Sequence, residues 1–249
     1  TKPILSPYIT AGFPTIKLTV PLMHQMVEAG SNIIELGMPF SDPMAEGVTI
    51  QKAMEISLEN GTKIKDVFNM VSEFRKTDQI TPVILMGYMN PIEIIGAKKF
   101  AQMAQRAGVD GTIIVDLPPE EGVEIYKVWA EHQLDPIMLC SPTTSDLRMS
   151  LISKHASGYV YYVSLKGVTG SAAIDVKQVQ NLYGKRKSQC QGLPVLVGFG
   201  IKNGVDAKNI ASFADGVVIG AALIEAIAQS NNPLEACYEF LEPINKVTL

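Results

Sequence analysis

Cysteine, histidine and tryptophan are scarce in this chain of 249 residues: three, three and one. Cys140, Cys190 and Cys237 are far apart, odd in number and without metal-ligand spacing, which argues for reduced thiols and against a disulfide framework or a zinc site. His24, His132 and His155 fall within or at the ends of predicted helices, away from the strand ends where chemistry would gather. No apolar stretch reaches the ~18 residues that a membrane span needs, and the opening Thr1-Lys-Pro-Ile has no signal-peptide pattern, so a cytoplasmic protein is expected. Positive charge is also in deficit. The 21 Lys and Arg against 25 Asp and Glu leave a net charge of −4 with no basic cluster, which disfavours nucleic-acid binding. Missing too are a Ser-His-Asp arrangement and a Gly-x-x-x-x-Gly-Lys phosphate loop; lysines at strand ends are few, and Lys166 falls on an expected lid rather than in the core, which argues against Schiff-base chemistry. The sequence opens without Met within a few residues of an apparent strand, so a leading segment is expected to be missing.

What is present is a regular alternation. The chain is 47% hydrophobic and 18% charged, and short apolar runs recur at Leu5 to Thr10, Asn32 to Leu36, Pro82 to Gly87, Gly111 to Val115, Pro136 to Leu139, Tyr159 to Val163, Pro194 to Val197 and Gly216 to Ile219. Segments between them, such as Leu18 to Ala29, have apolar residues at helical spacing; Phe100, Met103, Ala104 and Ala107 form one stripe. The turns Ala29-Gly-Ser-Asn, Ala107-Gly-Val-Asp and Phe213-Ala-Asp-Gly look like one helix-to-strand connection reused. An open doubly wound sheet would show a similar alternation. The count of eight units, with no Pro/Gly/Ser-rich linker, predicts a single (β/α)8 TIM barrel domain over 1–249 with extra short helices.

Glu35 stands out because it lies in Asn32-Ile-Ile-Glu-Leu-Gly37, a run that otherwise suits a strand buried on both faces. A carboxylate there costs several kcal/mol unless it is paired or its pKa rises. Chemistry is one explanation; a structural Glu capping a turn or paired with a buried cation is the other. The loop after this strand, Gly37 to Gln51, carries two further acids. Asp42, between Ser41 and Pro43, suits a turn former better than a catalyst. Glu46 could fold over the barrel mouth as a lid residue above Glu35, giving two carboxyls in different surroundings that can divide acid and base roles. Asp116 ends the fourth strand and is expected to orient a loop at the mouth. Pro118-Pro119-Glu120-Glu121 predicts a helix start, which makes Glu120 and Glu121 structural.

The last third supplies glycines where a phosphate would need them. Gly198-Phe199-Gly200 follows the seventh strand and Gly220-Ala221 the eighth, where barrels build phosphate sites from backbone N–H groups. Between them, Ser164 to Ala173 is rich in glycine and small residues, and predicts a lid that closes over the site. Thr169 there could hydrogen-bond a catalytic carboxylate; a connector without function is the plain alternative. Carboxylate acid–base chemistry on a phosphorylated ligand is what remains.

Several stretches resemble one family over nearly the whole chain: Pro7-Tyr-Ile-Thr-Ala-Gly, Ile34-Glu-Leu-Gly-Met-Pro-Phe-Ser-Asp-Pro, Asn90-Pro-Ile, Val115-Asp-Leu-Pro-Pro-Glu-Glu, Tyr161-Tyr-Val-Ser-Leu-Lys-Gly-Val-Thr-Gly and Val197-Gly-Phe-Gly-Ile. The family is the tryptophan synthase α subunit. The resemblance implies a lyase that cleaves indole-3-glycerol phosphate to indole and glyceraldehyde 3-phosphate. It implies no cofactor in this chain, and a pyridoxal-phosphate-bearing β subunit as partner in an αββα assembly. By motif, Glu35 matches the catalytic glutamate, and Glu46 falls where the family carries an aspartate that accepts the indole N–H. One extra methylene moves that carboxylate by about 1 Å, and misplacement on that scale can cost on the order of 100-fold in rate. Val48 stands where the family usually has proline, Ala221 where many members have a phosphate-binding serine, and Tyr8 where phenylalanine is common. Tyr161 and Phe199 match residues lining the indole and phosphate pockets. The resemblance gives the phosphate to backbone N–H groups of Gly200, Gly220 and Ala221, with Gly170 from the lid. The family's short N-terminal helix has no counterpart here. Two rival readings remain: a weakly active subunit that mainly activates its β partner, and another phosphate-binding barrel acting as an isomerase or epimerase.

Overall fold

In a computed structural model that describes residues 2–164, 176–198 and 200–248, the apolar runs form nine parallel strands: β1 (Ile4–Thr10), β2 (Ile34–Gly37), β3 (Val83–Gly87), β4 (Gly111–Ile114), β5 (Asp135–Pro136), β6 (Met138–Cys140), β7 (Val160–Val163), β8 (Val195–Gly198) and β9 (Gly216–Ile219). Around them lie α1 (Thr19–Glu28), α2 (Val48–Glu59), α3 (Ile64–Phe74), α4 (Met89–Ile95), α5 (Ala97–Ala107), α6 (Val123–Glu131), α7 (Asp146–His155), α8 (Val176–Gln189), α9 (Gly204–Ala211), α10 (Ala221–Gln229) and α11 (Pro233–Thr248). Helices between successive strands force parallel pairing.

The sheet runs β5-β4-β3-β2-β1-β9-β8-β7-β6. Its two ends, β5 and β6, are pieces of one stave separated only by Ile137, so the sheet closes on itself and eight staves make a TIM barrel. At the seam, Gly111 and Thr112 pair with Asp135 and Pro136, and the Ile137 N–H donates to the Thr112 carbonyl at 2.9 Å. Beyond that point β6 pairs with β7 alone, and a 430 Å³ cavity opens between the parted staves and helices α6 and α7.

Strand alternation sends side chains to two separate cores. Ile84, Ile113, Ile137, Tyr159, Tyr161, Leu196 and Val218 fill the barrel, while Ile34, Leu36, Val160, Tyr162 and Val197 pack outward against the helices. The helical stripe behaves as its spacing predicts: Phe100, Ala104 and Ala107 are buried and Met103 is half-buried on α5. Trp129 of α6 stacks on Phe100 with ring centroids 5.8 Å apart and donates its indole N–H to Thr112 Oγ1 at 2.5 Å, which pins α6 over the seam.

One expectation is corrected. Residues 118–122 do not open a helix; the Glu121 and Gly122 N–H groups both turn back on the Pro118 carbonyl, and α6 begins at Val123. The proline and acid preference was local to a turn, and Glu120 is instead engaged by Arg148 at 2.9 Å.

Candidate active site

The barrel wall delivers one carboxyl to its own interior. Glu35 lies on β2 beside Tyr8 of β1 and Ile84 of β3, with the apolar Ile34 and Leu36 facing the other way. It is fully buried. Two hydroxyls reach it: Ser6 Oγ donates to Glu35 Oε1 at 3.1 Å, and Tyr159 OH to the same oxygen at 2.6 Å. Glu35 Oε2 receives no hydrogen bond. No cation pairs with the group among the described residues. Burial pushes the Glu35 carboxyl up to about 7, against the stabilising pull of the Tyr159 and Ser6 hydroxyls and with a smaller upward push from Glu46. A carboxyl so placed is about half protonated at neutral pH, the condition for giving and taking a proton in one cycle.

Glu46 sits in the loop between β2 and α2, half-buried. The loop is tied down rather than free. Ala45 N–H donates to Tyr88 OH at 3.1 Å, Phe40 stacks on Tyr88 with centroids 5.3 Å apart, and Gln51 Nε2 donates to the Glu46 carbonyl at 2.8 Å. Burial also lifts the Glu46 carboxyl to about 7. Its charge raises the pKa of Tyr8, Tyr88 and Tyr161 as well as Glu35, so lid and wall carboxyls share one electrostatic neighbourhood. Asp42 lies outside this group. It is exposed, accepts from Ser41 Oγ at 2.5 Å and takes its place in the turn.

Two buried tyrosines complete the walls. The Tyr8 hydroxyl bonds Thr10 Oγ1 at 3.1 Å, and its ring occupies the space that a side chain at Gly37 would need; the Tyr161 ring does the same at Gly198. Desolvation raises both phenols, so they act as neutral walls. Met86, Val115, Leu139 and Val163 pack on the same interior cluster and leave it apolar.

The turns after β8 and β9 supply the small residues. Gly200 has φ of 78°, a conformation that disfavours any side chain. Gly220 caps α10, whose first turn closes with Ile224 N–H on the Gly220 carbonyl at 3.0 Å. Its Cβ position lies 3.4 Å from Tyr8 Cβ, which places the helix start beside the mouth. The leading N–H groups of a helix lack partners within it and favour anions. Ala221 begins that turn and is exposed. Thr169, Gly170 and Phe199, together with the expected lid beyond Ser164, lie outside the described residues.

Asp116 orients a neighbouring segment, accepting the Met89 N–H at the start of α4 at 2.7 Å. The histidines lie elsewhere: His24 against Phe74, His155 against Tyr126, and His132 bonded to the Val128 carbonyl. Sequence reasoning missed Ser6, Tyr159 and Tyr88. The signal for the first two was in the alternation itself: Ser6 shares Tyr8's face of β1, and Tyr159 shares Tyr161's face of β7.

Comparison with known proteins bears on the family. The family model described as tryptophan synthase alpha chain matches residues 1–247. The tryptophan synthase alpha chain of Legionella pneumophila is 58% identical over 239 residues, 94% of this chain and 88% of the relative; that of Marinobacter nauticus is 52% identical, covering 93% and 86%. A crystal structure of the alpha subunit from Legionella pneumophila superposes with a TM-score of 0.94 at 52% identity, over 99% of this chain and 92% of that one. A tryptophan synthase complex from Pyrococcus furiosus contains a chain that matches with a TM-score of 0.88 at 33% identity and 98% coverage of both. With a matching family model over almost its full length and relatives above half identity, the chain belongs to the tryptophan synthase alpha chain family.

Proposed function

We propose that Glu35 is the acid–base group, and Glu46 the indole-facing carboxylate, in the lyase reaction of this alpha subunit, the cleavage of indole-3-glycerol phosphate to indole and glyceraldehyde 3-phosphate. The bond that breaks joins indole C3 to the glycerol chain. Protonation of C3 turns the ring into an electron acceptor. Loss of the proton from the adjacent glycerol hydroxyl then drives electrons into a new carbonyl, and the C3–C bond electrons return to the ring. The net change moves one proton from oxygen to carbon, so a single carboxyl that gives first and takes back afterwards is restored at the end. Glu46 accepts the indole N–H and stabilises positive charge developing on the ring.

The observation that carries this reading is a buried carboxyl with one oxygen free of hydrogen bonds inside an apolar barrel. Tyr8 and Tyr161 would flank the indole, with Phe199 and Thr169 from the adjoining loops. Backbone N–H groups of Gly200, Gly220 and Ala221, with Gly170, would hold the phosphate without the serine hydroxyl that many relatives use at position 221. The described residues hold no group of three or more potential metal ligands.

A pyridoxal-phosphate-bearing β subunit in an αββα assembly is the partner this reading implies. Solved structures similar to this chain include tryptophan synthase complexes. Met44 in the Glu46 loop, Val48 at the start of α2 and Ile94 on α4 are 84%, 80% and 81% exposed. They follow β2 and β3 on the mouth side of the barrel, and large apolar side chains left so open suit a protein contact. A cytoplasmic setting fits, and no described helix is long and apolar enough to cross a membrane.

The test is to add the purified chain to indole-3-glycerol phosphate with and without β subunit and to measure indole. Release in both mixtures, faster with the partner, supports the reading. No indole in either would end it, and release only with the partner would mark a subunit whose Glu46 loop needs docking to become competent.

A further inference from the structure

The two oxygens of Glu35 are not equivalent. Both hydroxyl donors in reach, Ser6 and Tyr159, converge on Oε1, and Oε2 receives nothing although it is fully buried. Carboxyl groups in protein interiors normally have both oxygens satisfied, so this asymmetry is built in. Ser6 stands on β1 and Tyr159 at the foot of β7, and the chain brings them together from 153 positions apart by closing the barrel. The two hydroxyls also hydrogen-bond each other, and both residues are buried.

We propose that Ser6 and Tyr159 are positioning residues that hold Glu35 by Oε1 and so select Oε2 as the oxygen that carries the proton in catalysis. This rests on Glu35 being the acid–base group. A hydroxyl donating to Oε1 stabilises the carboxylate and fixes its rotamer; the proton then resides on the oxygen without a donor, because a proton on Oε1 would have to displace one. With two donors on one oxygen, rotation of the carboxyl about its Cγ–Cδ bond is blocked, and the transferring atom keeps one position through both proton steps. The hydroxyls also moderate the effect of burial, since each favours the charged form. Other ionisable groups facing Glu35 are Tyr8 from β1, Tyr161 from β7 and Glu46 from the loop after β2. The tyrosines stay neutral through the working range, so among the described residues Glu46 is the neighbour whose titration overlaps.

The experiment compares Tyr159→Phe, Ser6→Ala and the double variant with the unmodified full chain, β subunit present throughout. Two readouts are taken: the pH profile of kcat and KM for indole release, and the titration of the Glu35 carboxyl stretch by infrared difference against Glu35→Gln. Tyr159→Phe should raise the Glu35 titration by about one to two pH units, since the charged form loses a hydrogen bond. It should lower kcat near neutral pH about tenfold and leave KM within about twofold. Ser6→Ala should move the same quantities less, in the same direction, and the double variant most. The infrared titration reads protonation even where turnover is lost. An unmoved Glu35 titration in both single variants, or a rise in KM with kcat intact, would overturn the assignment. Cleavage surviving in Glu35→Gln would instead remove the acid–base reading on which it stands, so the two failures are separable.

Discussion

Gly198 is the seat of the Tyr161 ring: a Cβ built on Gly198 would overlap the tyrosine's hydroxyl and ring carbons. The seventh stave can therefore bring its chain against a wall residue of the pocket only while position 198 has no side chain. Gly198→Ala is expected to push Tyr161 into the pocket, with KM for indole-3-glycerol phosphate raised about tenfold or more. Overpacking of this kind costs about 1–3 kcal/mol, so a lowered Tm should accompany it; an unchanged KM would show that the ring moves aside freely.

Glu35→Gln should abolish cleavage by at least 100-fold, the range of a lost acid–base group, while the fold gains stability at alkaline pH. The sign follows from the raised pKa. The unfolded carboxyl ionises near 4.5 and the folded one near 7, so between those values the folded state binds more protons and stability falls as pH rises. At ~1.4 kcal/mol per unit the loss amounts to about 3 kcal/mol. Urea unfolding at pH 5 and pH 8 checks it: the variant should be the more resistant protein at pH 8, and this advantage should shrink at pH 5.

Glu46→Asp is expected to turn over as fast as the natural chain or faster. The shorter side chain restores the length the family normally places there, and the tie from Tyr88 to Ala45 holds the loop in either case. Measured kcat decides it. A large loss would mean that Val48 and the loop before it have settled around the longer acid.

Ile94→Asp and Val48→Asp should each weaken association with the β subunit about tenfold, because exposed apolar side chains at a contact are costly to replace by charge. Titration calorimetry with purified β subunit checks this. Binding unchanged in both variants would move the contact to another face.

Much of the fold was legible because closed parallel barrels have a periodic signature: every predicted strand is found, within two residues of its expected ends. Glu35 was legible for a related reason, since an acid in an otherwise apolar run breaks a pattern. Ser6 and Tyr159 break none. Serine and tyrosine are ordinary in strands, and their convergence on Oε1 comes from barrel closure, a contact over 124 positions for Tyr159. The split of the fifth stave at Ile137 was equally hidden, because Pro136 to Leu139 reads as one run. The turn at Pro118 to Gly122 was misread since proline followed by acids suits a helix start and a tight turn alike.

That split stave has a further bearing on how the protein behaves in a crowded solution. A sheet that begins and ends on the same stretch of chain has no outermost strand to recruit a stranger's backbone, the usual route to edge-to-edge aggregation. The exception is the short parting beyond Ile137, and there the Trp129 side chain of α6 and Ile152 of α7 stand over the opening. Loss of those two helices, more than loss of any strand, would turn a sealed cylinder into a sticky one.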